Sequence, residues 1–95
     1  MADTATVRDI VEPFVEEGIY SDREEVLKNL RDEFIDQKIR ENQREIEKFR
    51  EKYGRSFEEF TENIEGEAKV DEEDDWIRWE AARNMMEKWK KVGKE

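Results

Sequence analysis

Residues 18–34 read GIYSDREEVLKNLRDEF. A glycine closes the amphipathic segment before this stretch, and Ser21 followed by Glu24 opens a new one. In such a capping-box pattern the serine oxygen accepts a backbone N–H of the first turn while the glutamate reaches back, so the spacing predicts a helix from Asp22, with Tyr20 leaning over its start toward Glu25 and Val26. From there to Tyr53 the chain has neither glycine nor proline. The result is a helix of about 32 residues, roughly 48 Å long at 1.5 Å per residue. A helix of that length is not buried by a small domain alone.

Upstream, Val7, Ile10, Val11, Phe14 and Val15 recur at helical spacing and predict a short helix from about Thr6 to Glu17, ended by Gly18. Pro13 falls inside it, which calls for a kink or a start late enough to put the proline in the first turn. Val26, Leu27, Leu30 and Phe34 form the facing stripe on the long helix. Farther along, Ile35, Ile39, Asn42, Ile46, Phe49 and Tyr53 are spaced 4, 3, 4, 3 and 4, the rhythm of a helix-pairing seam with Asn42 as its polar register position. Val26, Leu30, Phe34, Ile35, Ile39, Asn42, Ile46 and Phe49 are therefore the expected dimerisation residues. Packing of the same seam against the chain's own C-terminal helix is the open alternative.

Gly54 ends the long helix in an expected left-handed cap, and Ser56 with Glu59 caps a short helix from Phe57 to about Asn63. Residues 65–75, EGEAKVDEEDD, carry like charges and little apolar material, and read as a solvated, mobile linker. A final helix from about Asp75 to Lys91 takes Asp74 or Asp75 as its cap and gathers bases toward its C-terminal end, as the helix dipole favours. Along one face it has Trp79, Ala82, Met86 and Trp89, flanked by Trp76 and Met85. The expected fold is all-α: short helix, long central helix, short helix and C-terminal amphipathic helix, dimeric, with an N-terminal ribbon strand degenerate or absent. Residues 1–55 form the helical dimerisation region and 56–95 the acidic linker and partner-binding tail.

The composition agrees with association. With 35% apolar and 48% charged residues in 95, the chain has little material for an independent core. The net charge of -10 is concentrated in residues 1–20 and 58–75, whereas 21–57 hold ten acids and ten bases. That bias is opposite to the one a nonspecific nucleic-acid surface needs. The absence of Cys and His removes thiol nucleophiles, disulfides, imidazole bases and the commonest zinc ligands. Ser21 and Ser56, the only serines, are accounted for as caps, and the four isolated glycines form no phosphate loop. The Asp71–Asp75 run lacks the glycine turn and terminal glutamate of a calcium loop. The reading is a non-enzymatic protein without cofactor, metal or small-molecule substrate. No apolar run is long enough to span a bilayer and residues 1–20 show neither the basic region nor the apolar stretch of a secretory signal, so a cytoplasmic location is expected.

The C-terminal WIRWEAARNMMEKWKK offers more adaptable apolar area than a charged surface helix requires. Two uses stand side by side: a partner surface, or a core packed onto Ile39, Ile46 and Phe49. On the first, Phe57, Phe60, Trp76, Trp79, Met86 and Trp89 fill grooves in a partner, and Glu72, Glu73, Asp74 and Asp75 draw its basic surface in.

Residues 11–21, VEPFVEEGIYS, followed by DREEVL at 22–27, resemble the helix–loop–helix of ribbon-helix-helix antitoxins of the ParD and related types. The resemblance covers about residues 5–34. It implies a dimer with N-terminal strands paired into a DNA-reading ribbon, and a C-terminal extension that wraps and inhibits a toxin, here a basic one. Residues 1–7, MADTATV, contain no Lys or Arg. Only Thr4 and Thr6, with Arg8 and Arg23 near phosphate, are left for DNA contacts, so the expectation is weak or absent DNA binding and a retained inhibitory role. A helical oligomerisation scaffold and a DNA-binding regulator are the alternatives.

Overall fold

The computed structural model describes residues 4–67 and 69–94, which form four α-helices: α1 (Thr4–Glu16), α2 (Arg23–Tyr53), α3 (Phe57–Glu67) and α4 (Val70–Lys94). No strand occurs among the described residues. Residues 4–7, where a ribbon strand was expected to be degenerate or absent, belong to α1, and residues 1–3 lie outside the described ones. The chain divides into two compact units, residues 1–34 and 35–95, with the division inside α2.

In the first unit, α1 runs through Pro13, whose carbonyl accepts the Glu17 N–H at 3.1 Å. Its end is a Schellman motif. Gly18 takes a φ of 75°, Gly18 N–H donates to Val15 O at 3.0 Å, and Ile19 N–H donates to Phe14 O at 3.1 Å. The cap of α2 is Asp22 and not Ser21. Asp22 Oδ1 accepts the Glu25 N–H at 2.9 Å, while the Glu25 carboxylate turns back to the N–H and hydroxyl of Ser21. The pattern is the expected box moved by one residue, because aspartate caps as well as serine does and Glu25, three residues beyond it, supplies the return contact. Arg23 pairs with Glu12 of α1 at 2.7 Å, and Val11 and Val26 are the fully buried side chains of this unit.

In the second unit, α2 ends where expected. Gly54 has a φ of 61° and its N–H donates to Arg50 O at 2.8 Å, the single bond of an αL cap. Ser56 Oγ then accepts the Glu59 N–H and donates to the Glu59 carboxylate, both at 3.2 Å, and starts α3. Residues 65–67 and 70–75 are helical and do not form the expected linker, while Ala68 lies outside the described residues. Helix α3 continues to Glu67, and α4 begins at Val70, with Lys69 O accepting the N–H groups of Glu72 and Glu73 at 3.0 Å. Asp71, Glu72 and Glu73 fill the first turn of α4, where the positive end of the helix dipole offsets the crowding of like charges.

The core joins all three helices of this unit: Ile46 and Phe49 from α2, Phe60 from α3, and Trp79 and Ala82 from α4, with Tyr53, Phe57, Ile64 and Met86 packed around them. At the other end of α4, Gly93 comes close to α2: a Cβ added there would stand 3.4 Å from Ile35 Cγ2.

Two glycine substitutions should act in opposite directions. Gly54→Ala should cost about 1 kcal/mol, because its φ of 61° is strained for any L side chain. Gly66→Ala, inside α3 with open space at its Cβ, should stabilise by about 0.5 kcal/mol by restricting the unfolded chain. Urea unfolding followed by far-ultraviolet circular dichroism measures both.

Candidate functional site

Trp79 lies 1% exposed at the centre of the second unit, ringed by aromatics from two other helices. Its ring stacks with Phe49 (centroids 5.8 Å apart) and Tyr53 (6.4 Å), and meets Phe57 (5.4 Å) and Phe60 (5.6 Å) edge-on. Tyr53 and Phe60 meet at 4.1 Å. These offset and T-shaped arrangements suit the quadrupoles of the rings and add to the area they bury. The indole N–H of Trp79 is buried without an acceptor. That cost is borne because ring packing dominates the energetics at this position.

Trp76 occupies a half-buried position one turn earlier. It stacks on Phe57 at 5.9 Å and donates its N–H to Thr61 Oγ1 at 2.8 Å, and the Thr61 hydroxyl donates in turn to Phe57 O at 2.8 Å. Arg83 lies over the Phe57 ring, 4.3 Å from its centroid, and pairs with Glu58 at 3.0 Å. The Glu58 carboxyl is held below the usual carboxylate range by a hydrogen bond to its own backbone N–H, with Arg83 adding to it. An open cleft of about 620 Å³ runs beside this cluster, with Ile46, Phe57, Trp79 and Met86 under a rim that includes Arg50 and Arg83.

Asp75 is the buried charge among the described residues of the unit. Its Oδ2 accepts Lys52 Nζ at 2.6 Å and the Tyr53 hydroxyl, fastening the start of α4 to the end of α2. The hydrogen bond from Lys52, then that from Tyr53, lowers the Asp75 pKa; the same bond to Asp75 raises that of Lys52. Burial, followed by the bond to Asp75, pushes the Tyr53 phenol up to about 12.

The residues expected to bind a partner thus separate. Phe60 and Trp79 are core, Asp75 is held in an internal ion pair, and Phe57, Trp76, Met86 and Trp89 are half-buried. Glu73 and Asp74 are exposed and Glu72 is half-buried. Among the expected dimerisation residues, Val26, Ile35, Ile46 and Phe49 are buried within the single chain, Ile39 and Asn42 are half-buried, and Leu30 and Phe34 are exposed. Asn42 donates its side-chain N–H to Lys38 O at 2.8 Å. For Ile46 and Phe49 it is α4 that fills the face offered by the seam.

No group of three or more acidic side chains converges as a metal cage among the described residues, and no described helix is long and apolar enough to cross a membrane. Compared with known proteins, the chain matches no family model, no curated protein and no solved structure.

Trp79→Ala should cost about 3–5 kcal/mol, since it empties the centre of the core, and should be read as loss of helix and of unfolding cooperativity. Asp75→Asn should cost about 1–3 kcal/mol near neutral pH by removing the charged acceptor of two hydrogen bonds. Because the folded-state pKa of Asp75 is depressed, its contribution is present above the ordinary carboxylate pKa and lost as pH falls through the lower folded value. The gap between wild type and Asp75→Asn in urea midpoints should therefore narrow below about pH 4. Tyr53 works on the alkaline side: its raised pKa gives stability that is lost as pH rises from 10 toward 12.

Proposed function

We propose that this chain is a non-catalytic, antitoxin-like inhibitor that masks a basic protein partner with carboxylates fixed on α3 and α4. The observation that carries this reading is that Glu59, Glu62, Glu65, Asp71, Glu72, Glu73 and Asp74 stand on two helices locked by an aromatic core, with no ion pair to a base among the described residues. Carboxylates held in place lose less entropy on meeting a partner than the same charges on a floppy tail. They also steer a basic surface toward the complex. The aromatic residues then act as the scaffold of the contact surface, with the acids outside them as the contacts. The resemblance of residues 5–34 to ribbon-helix-helix antitoxins points to the same class, with an RNA-cleaving enzyme as the kind of target whose basic groove such a surface covers.

A second reading, an oligomeric helical scaffold, is favoured by the first unit, where Ile10, Phe14, Ile19, Leu27 and Leu30 are all more than a third exposed on a two-helix hairpin. A hairpin this short gains stability when a further surface covers such a face.

Co-expression with the product of the adjacent gene tests the inhibitory reading. That product alone should arrest growth, this chain should relieve the arrest, and Glu59→Lys with Glu62→Lys and Glu65→Lys should weaken binding at least tenfold while leaving the helical signal intact. Binding should also weaken with added salt. Absence of arrest or of relief, or relief indifferent to charge reversal, contradicts the reading.

A further inference from the structure

Helix α4 has a second apolar face that the core does not use. Trp79, Ala82 and Met86 point into the unit, but Val70, Ile77, Met85 and Val92 are 74%, 58%, 40% and 44% exposed. Together with exposed Asp74, Ala81 and Lys88 they form a single seam, because steps of 4, 7 and 11 residues return to within about 40° of whole helical turns. The seam is roughly 33 Å long at 1.5 Å per residue.

Its order is symmetric about Ala81. Ile77 and Met85 lie four residues either side of it, Asp74 and Lys88 seven, and Val70 and Val92 eleven. We infer that a second copy of this chain docks on this face, with the two α4 helices antiparallel and crossing at Ala81. In that register Val70 meets Val92 of the other copy, Ile77 meets Met85, and Asp74 faces Lys88 twice over, once at each end. An isologous two-fold contact requires such self-complementarity.

Charge selects this occupant and this direction. The first turns of α4 hold Asp71, Glu72, Glu73 and Asp74, and the last hold Lys88, Lys90, Lys91 and Lys94. An antiparallel pair lays acids beside bases and opposes the helix dipoles, whereas a parallel pair stacks acid on acid and base on base. Neither Asp74 nor Lys88 has an ion pair within the chain among the described residues. Ala81 at the crossing is small enough for the backbones to approach. The contact takes Asp74 out of the acids offered to a basic partner and leaves Glu59, Glu62 and Glu65 of α3 outside the seam, so charge reversal at those three tests the inhibitory reading separately.

Sedimentation of the full chain over a concentration series, with cross-linking, tests the proposal. The wild type should pass from monomer to dimer. Lys88→Glu should weaken dimerisation at least tenfold at low salt, and Asp74→Lys combined with Lys88→Glu should restore it to within about threefold. The chain has no cysteine, so Ala81→Cys introduces a lone thiol. A short bismaleimide should join two copies of that variant but not two copies of Val70→Cys, whose thiols would stand roughly 33 Å apart. Cross-linking of both variants, of neither, or of Val70→Cys alone overturns the antiparallel register. A dimer indifferent to Lys88→Glu overturns the contact, as does a charge swap that fails to restore it, provided each variant keeps the wild-type helical signal.

Discussion

The burial of Trp79 among Phe49, Tyr53, Phe57 and Phe60 is the contact on which the second unit depends, since that one ring touches side chains of both other helices. In a chain with so little apolar material, a large aromatic at the meeting point of three helices covers area that several smaller residues would otherwise have to supply. The ion pair of Lys52 with Asp75 works beside it. Trp79 fixes how α4 lies on α2 and α3, and Asp75, one turn earlier, ties the start of α4 to the end of α2. With those two contacts made, the acids of α3 and the first turns of α4 hold fixed positions on the surface.

The parts of this arrangement legible in the sequence are those set by local chemistry. The helix ends at Gly18 and Gly54 follow from the left-handed conformation that glycine adopts without strain, and the start of α3 follows from Ser56 and Glu59. Trp79, Ala82 and Met86 could be placed on one face from spacing alone. Position 22 was less determined, because Ser21 and Asp22 are both good caps and only the Glu25 contact decides between them.

Of the long-range contacts, packing of the tryptophan face onto Ile46 and Phe49 was legible as one of two open readings, and the others were not. Residues 70–75 read as a linker because six positions with five acids repel one another in isolation, yet the dipole of α4 and a lysine 23 residues away from Asp75 make the segment helical. Which tryptophan becomes core depends in the same way on partners distant in sequence: Phe49 and Phe60 enclose Trp79, whereas Trp76 finds Thr61 at the edge. The outer seam of α4 was hidden by dilution, since Val70, Ile77, Met85 and Val92 stand among charged neighbours and show no apolar run.

The central claim is that the tryptophan-bearing C-terminal region is folded on the chain's own core before any partner arrives. Amide hydrogen exchange of the purified protein, resolved along residues 57–92 and paired with the oligomeric mass of the same sample, tests it most directly. The account predicts strong protection through residues 76–90 at the level of the C-terminal half of α2. Exchange of those amides at unfolded-chain rates, with protection confined to α2, would contradict it.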